Sequence, residues 1–123
     1  MGYVPTYLSS LRGLQDLDLS FNRITHWECL AQLTSLTKLS MNYCHLTNVP
    51  STLTALTLLK RVYMIHNNIA SLPMGLPWCN LETLFLADNQ LRSVPWRELL
   101  CAKELVALCL SGNNDLQVHY DAH

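Results

Sequence analysis

One polar position recurs along the chain at nearly constant intervals. It is asparagine four times and cysteine once, and the intervals are 22, 23, 22 and 24 residues. The five positions are Asn22, Cys44, Asn67, Asn89 and Asn113. Each follows the same apolar frame, Leu-x-x-Leu-x-Leu-x-x-Asn-x-Leu, in which methionine, valine or isoleucine replaces some leucines. Repeats of this length bury a core only by stacking on one another, so the chain is constrained to a solenoid.

The Leu-x-Leu part of each frame alternates with the period of a β-strand. Each repeat therefore predicts one short strand, and neighbouring strands would stack about 4.8 Å apart in a parallel ladder. At the turn after the strand, an asparagine amide can donate and accept hydrogen bonds with the backbone of adjacent turns. We expect the five recurring positions to form a structural asparagine ladder. Cys44 should be its weakest position because a thiol is a weak donor.

The arcs between the frames carry a second pattern. Apolar residues three apart, such as Leu53, Leu56 and Leu59, predict a 3₁₀ or extended turn that packs beneath the strands. The stretch from Trp96 to Glu104 has a helical composition and follows Pro95, so we expect a short helix there.

These frames and arcs resemble the leucine-rich repeat family, and the resemblance extends from about Val4 to Leu116. The repeat length and the Val-Pro or Leu-Pro pairs in the arcs are similar to the 22–24-residue subclass common in intracellular eukaryotic proteins. The resemblance implies an α/β repeat solenoid with one short parallel β-strand per repeat on its concave side. The convex side would hold 3₁₀, extended or short helical segments. It also implies a non-enzymatic module that binds other proteins on the concave face.

The length of 123 residues predicts one domain, 1–123, with about five repeats. The first and last repeats look incomplete: Leu8 and Leu11 belong to an arc without its own strand, and Asp115 interrupts the fifth frame. Residues 117–123 form a polar tail. We therefore expect a fragment or short member of a longer architecture, able to self-associate through uncapped ends.

Charge, hydropathy and cysteine content indicate which classes of partner and which cellular compartment to expect. A formal net charge of −1 gives no electrostatic reason to expect nucleic acid. No apolar stretch is long enough to span a bilayer, and the first residues do not resemble a signal peptide, so no membrane partner is expected. The five cysteines are odd in number and scattered. This pattern predicts buried thiols in a reducing compartment, and hence a cytoplasmic location.

The five histidines and five cysteines raise the question of catalysis or metal binding. Their spacing contains no Cys-x-x-Cys pair, and the chain has no phosphate loop or nucleophile elbow. We therefore expect no catalytic residue, no cofactor and no metal site. His66 and Asp88 share one column of successive repeats, which favours a surface pair over a catalytic dyad.

Residues that flank the inward frame residues should form columns on the concave sheet. The columns bring aromatic side chains together and place cationic side chains beside them, which is typical of a protein-binding hot spot. The predicted binding residues are Lys38, Tyr43, Arg61, Tyr63, Ile65, His66, Phe85 and Asp88. Two alternatives remain: cross-strand pairs that only stabilise the sheet, and a surface for single-stranded nucleic acid, which nearby acidic residues oppose.

The repeat pattern and the outward columns are compatible with two functions. The first is a non-enzymatic interaction module that binds a protein or peptide of unknown identity through the concave face. The alternative is a structural segment of a larger solenoid that stacks end to end and has no ligand of its own.

Overall fold

The computed structural model describes residues 5–94 and 96–116 and contains one five-stranded parallel sheet. The strands follow chain order without a crossover: β1 Asp16–Asp18, β2 Lys38–Ser40, β3 Arg61–Tyr63, β4 Thr83–Phe85 and β5 Ala107–Cys109. Equivalent frame residues pair across the sheet, as Leu39 with Val62 and Val62 with Leu84. Each strand thus adds to the one before it, and the predicted repeat solenoid is confirmed.

Most of the arcs form 3₁₀ turns, as the three-residue spacing predicts. These turns span Thr6–Ser10, Glu28–Gln32 and Ser51–Ala55. In the second of them, Leu30 N donates to Trp27 O and Leu33 N to Leu30 O, at 3.0 Å each. The bonded residues are three apart, so their side chains share one side of the turn and enter the core.

The arc before β5 holds a helix shorter than predicted. Helix α1 spans Trp96–Leu99, whereas the composition predicted a helix from Trp96 to Glu104. After Leu99 the chain closes a tighter turn, in which Ala102 N donates to Leu99 O at 2.9 Å. This turn buries Ala102, so the demands of the core override local helical propensity. Pro95, predicted to precede the helix, lies outside the described residues, as does the polar tail 117–123.

The core is a continuous layer of side chains between the sheet and the arcs. Strand residues Leu39, Val62 and Leu84 have no exposed surface, and neither do Leu30 and Leu53 from the arcs. Each repeat therefore contributes to the core from both sides. Truncating any one such leucine to alanine in a packed core typically costs about 2–5 kcal/mol.

The Asn67 side chain joins two successive repeats through five hydrogen bonds, the longest of which runs from its Nδ2 to Ile65 O at 3.4 Å. Its Oδ1 accepts from Cys44 N at 2.9 Å and from Leu46 N at 3.0 Å. Its Nδ2 donates to Met41 O at 3.0 Å and to Met64 O at 3.1 Å. These backbone groups lie in buried turns, where an unpaired polar group would be costly.

Asn89 and Asn113 repeat this arrangement one and two repeats later. Asn89 Nδ2 donates to Met64 O and Leu86 O, both at 2.9 Å, and its Oδ1 accepts from Ile69 N at 3.1 Å. Asn113 makes the equivalent bonds to the fourth and fifth repeats. Both side chains are buried. Asn22, which is only half-buried, donates to Leu19 O and Ser20 O of its own repeat.

Cys44 occupies the second position of the ladder with a thiol. Its Sγ donates to Leu19 O at 3.1 Å. Burial raises the pKa of the Cys44 thiol, so the group remains a neutral donor at physiological pH. The thiol thus bridges to the preceding repeat, but without a carbonyl oxygen it lacks the acceptor that Asn67 supplies.

Two of the five cysteines form a disulfide, Cys79–Cys101, which contradicts the prediction that all the thiols are free and buried. The partners are 22 residues apart, so they lie in the arcs of successive repeats, and their Cα atoms are 4.7 Å apart. Both residues are exposed. Cys29, Cys44 and Cys109 are free thiols, of which only Cys44 is buried.

Replacing Asn89 with alanine should lower the free energy of unfolding by roughly 1–3 kcal/mol, because buried backbone groups lose their partners. Urea denaturation followed by circular dichroism would measure this. Asn48→Ala, at an exposed asparagine, is the matched control. Cys44→Asn should be neutral or stabilising. An unchanged midpoint for Asn89→Ala would contradict the structural role of the ladder.

Breaking the disulfide should lower the free energy of unfolding by about 3 kcal/mol, the value for a closed loop of this length. The free energy of unfolding should fall equally in the double variant Cys79→Ser/Cys101→Ser and in the wild type treated with a reducing agent. The control Cys29→Ser, at a free thiol, should change it little. Thiol titration of the denatured wild type should find three free groups, the five cysteines less the bonded pair. Five titratable thiols would show that the bond does not form.

Candidate protein-binding face

The outer face of the sheet carries two columns of side chains set by strand register. Because side chains alternate along a strand, the residues on either side of the buried frame residue point away from the core. The first column contains Asp16, Lys38, Arg61, Thr83 and Ala107, and the second contains Asp18, Ser40, Tyr63, Phe85 and Cys109. The strands themselves therefore determine which outward residues touch.

Tyr63 and Phe85 lie side by side in the middle of this face, and we call them the aromatic patch. Their ring centroids are 5.3 Å apart, with the planes at 87° in an edge-to-face arrangement. The ammonium group of Lys38 lies 5.8 Å from the Tyr63 ring centroid. All three residues are half-buried, as is Ile65 just beyond β3. The patch combines apolar area with a nearby cation and remains accessible to a partner.

Charged residues flank the aromatic patch in loose ion pairs. Arg61 Nη2 lies 3.8 Å from Glu82 Oε1, and Lys38 Nζ lies 3.9 Å from Asp16 Oδ2. Such exposed ion pairs stabilise the folded protein by only about 0–1 kcal/mol, so a partner can displace them with little loss of stability. Hydrogen bonds from Ser20 hold the pKa of Asp18 below its ordinary value, so that carboxylate is charged at neutral pH.

A third row of residues lies at the carboxyl ends of the strands, just before the asparagine ladder. Phe21, Tyr43, His66, Asp88 and Gly112 occupy equivalent positions, and all have φ between 56° and 76°. This left-handed conformation is costly for bulky residues and comes easily only to glycine. The turn imposes it in every repeat because the chain must bend sharply between the strand and the ladder.

The first three members of this row form the rim stack, Phe21, Tyr43 and His66. Centroids of Phe21 and Tyr43 are 4.9 Å apart and those of Tyr43 and His66 are 4.4 Å apart, with interplanar angles of 8° and 14°. Phe21 was not among the predicted binding residues, although its column position next to Tyr43 was a usable signal. The aromatic patch and the rim stack are separate groups on one surface.

The eight predicted binding residues thus fall into two groups. Lys38, Arg61, Tyr63, Ile65 and Phe85 surround the middle of the sheet, whereas Tyr43, His66 and Asp88 lie in the third row. His66 stacks on Tyr43, and the Asp88 carboxylate lies against Gly112, where an added Cβ would collide with it. The two members of the predicted surface pair therefore contact different neighbours.

Residues 5–94 and 96–116 contain neither a cluster of metal-ligating side chains nor a helix able to span a membrane. Within those ranges, no three His, Cys, Asp or Glu side chains are grouped closely enough to hold a metal ion. The helices described there are too short or too polar to cross a bilayer.

Comparison with known proteins supports the family resemblance. Residues 5–46 match the sequence profile of the family described as leucine rich repeat. The chain is 33% identical over 104 residues to the leucine-rich repeat transmembrane protein FLRT2 of Rattus norvegicus and, equally, of Mus musculus. The match covers 80% of this chain and 16% of FLRT2. The chain therefore spans about a sixth of the length of the curated relatives it matches.

Two solved structures share the fold. The LRR protein LIC12759 of Leptospira interrogans superposes with a TM-score of 0.84 and 25% identity, over 94% of this chain and 33% of that one. The LRR ectodomain of the plant membrane receptor kinase GASSHO1/SCHENGEN3 from Arabidopsis thaliana gives a TM-score of 0.68 and 25% identity. That match covers 89% of this chain and 17% of the ectodomain.

These relatives contradict the predicted cytoplasmic location. FLRT2 is a transmembrane protein, and the plant structure is the ectodomain of a membrane receptor. The Cys79–Cys101 bond agrees with the correction, because disulfides persist mainly in oxidising compartments. The finer resemblance to an intracellular subclass has no support in these comparisons. The parallel five-stranded solenoid, the family profile and the shared fold together identify the chain as a leucine-rich repeat protein.

Proposed function

We propose that this chain is a non-enzymatic module that binds a protein or peptide through the concave, outer face of its sheet. The observation that carries the proposal is the aromatic patch, two half-buried rings in mid-sheet that take no part in the core. The binding face would comprise the eight residues predicted from sequence, with Tyr63 and Phe85 at its centre.

Energetics favour this patch as the anchor. Binding energy usually concentrates in a few aromatic and arginine side chains near the middle of an interface, where a partner excludes water. Tyr63 and Phe85 restrain each other through edge-to-face contact, so they lose little side-chain freedom on binding. Lys38 and Arg61 flank them and would steer a partner of complementary charge.

The relatives add independent support. The Arabidopsis ectodomain was solved in complex with CASPARIAN STRIP INTEGRITY FACTOR 2, so a solenoid of this fold accepts a partner. FLRT2 and that ectodomain also support an extracellular setting for the present chain, in keeping with its exposed disulfide. We infer that residues 1–123 act as one binding domain.

A structural segment without a ligand is the second candidate function. Tyr7 and Leu11 in the first arc are 72% and 47% exposed, and end-to-end stacking would cover such side chains. Mass measurement by light scattering distinguishes the two functions. We expect the wild-type chain to be predominantly monomeric at micromolar concentration. The variant Tyr7→Ser/Leu11→Ser, which removes the exposed apolar side chains of the first arc, should have the same mass. A stable oligomer that this variant dissociates would favour the structural segment.

Loss of the aromatic patch should weaken binding by about 2 kcal/mol or more, a typical value for hot-spot residues. A partner selected from a displayed peptide library on the wild-type chain would be tested against Tyr63→Ala/Phe85→Ala by surface plasmon resonance. Tyr7→Ala, which removes an exposed aromatic side chain in an arc, is the control and should bind normally. If the double variant binds as tightly as the wild type, the concave-face proposal fails.

A further inference from the structure

The third row changes its chemistry along the solenoid. Its first three members are stacked rings. Their centroids are 4.9 and 4.4 Å apart, close to the spacing of about 4.8 Å between neighbouring strands. The fourth member, Asp88, is small and acidic, and the fifth, Gly112, has no side chain. The rim stack therefore ends at His66 and opens into a groove.

This groove has a volume of about 440 Å³ and a mostly polar lining. His66 lies on one side and Gly112 on the other, and Asn68, Gln90 and Asn114 add side-chain amides to its walls. Asp88 is the only carboxylate among the described residues that line the groove. Space of this size is more than enough for one side chain of a partner.

Among the described residues, the Asp88 carboxylate has no ion-pair partner. Over residues 5–94 and 96–116, the ion pairs are Lys38 with Asp16 and Arg61 with Glu82, and neither includes Asp88. The carboxylate lies against Gly112, which can accept this contact because it has no Cβ. Gly112 follows Asp88 in the row, on the side opposite His66, so the carboxylate points away from the exposed imidazole.

We propose that this groove binds the guanidinium group of an arginine in the partner protein or peptide. A guanidinium is planar and cationic, so it can lie parallel to His66 as a fourth member of the rim stack. In that position its positive charge lies next to the Asp88 carboxylate, and an N–H at the edge of the group can donate to a carboxylate oxygen. Neighbouring amide oxygens can accept its remaining donors.

Arginine fits this groove better than lysine does. An ammonium group is a compact point charge, which satisfies the carboxylate but cannot stack flat on an imidazole. The inference rests on the proposed function, since a bound partner would supply the arginine. It adds specificity, because a hydrophobic contact at the aromatic patch would be combined with one arginine at a fixed position along the sheet.

The test is a titration of the ¹⁵N-labelled chain with the peptide acetyl-Gly-Arg-Gly-amide, followed by NMR. The backbone amide signals of Asn68, Gln90 and Gly112 should shift as the peptide is added. The same peptide with citrulline, which keeps the planar shape without the charge, should bind about fivefold more weakly. The lysine peptide should fall between the two.

Substitutions then assign the interaction to its residues. Asp88→Asn should weaken binding of the arginine peptide about fivefold, and asparagine tolerates the left-handed backbone that this position requires. His66→Ala should weaken binding of the arginine peptide more than that of the lysine peptide. The control Asp16→Asn, an exposed carboxylate on the sheet outside the groove, should match the wild type.

Equal binding of the citrulline and arginine peptides, an unchanged affinity in Asp88→Asn, or shifts that avoid the groove would each overturn the proposal. The Tyr63→Ala/Phe85→Ala variant should bind the arginine peptide like the wild type, because the aromatic patch does not line the groove. Failure of the concave-face proposal is detected with that double variant and a protein partner. Failure of the arginine site is detected with Asp88→Asn and the peptide.

Discussion

Asn67, Asn89 and Asn113 each satisfy backbone groups of two successive repeats, and the rest of the structure depends on this interaction. The turns that leave the strands are buried but are neither helical nor part of the sheet, so their N–H and C=O groups need side-chain partners. Asn67 supplies them by accepting from Cys44 N and donating to Met41 O and Met64 O. The amide reaches both turns only when successive repeats are stacked in register. The ladder therefore fixes the register of the strands.

This register determines the chemistry of the outer face. Residues about one repeat apart in sequence become neighbours about one strand spacing apart, which brings together the two rings of the aromatic patch. It also aligns the left-handed residues that precede the ladder, so that three rings stack although the backbone of each is strained. Stacking contacts offset part of that strain. The protein thus presents rigid aromatic groups on turns that glycine would otherwise occupy most easily.

Periodicity was enough to predict the strands, their order and the proximity of Tyr63 and Phe85, because a repeated pattern implies a repeated register. The helix predicted over Trp96–Glu104 was too long, since composition reports local propensity and not the tight turn that buries the end of the arc. The bond between Cys79 and Cys101 was missed because the fifth repeat is two residues longer, which hides their alignment. Of the rim stack, Tyr43 and His66 were among the predicted binding residues, but Phe21 was missed although it occupies the equivalent position in its own repeat. The predicted location was wrong because it rested on indirect features, chiefly the cysteine pattern and the resemblance to an intracellular subclass, and the relatives contradict it.

The disulfide also determines how the solenoid would respond to a pulling force. In a repeat array each unit contacts only its neighbours, so repeats can detach one after another. A force applied at both sides of Cys79–Cys101 passes through the sulfur atoms and bypasses residues 80–100. Those residues remain a closed, unloaded loop, while residues 5–78 can extend by about 3.3–3.6 Å each. A chain attached between two surfaces would therefore lengthen mainly through its first three repeats, and β4, inside the closed loop, would carry no load.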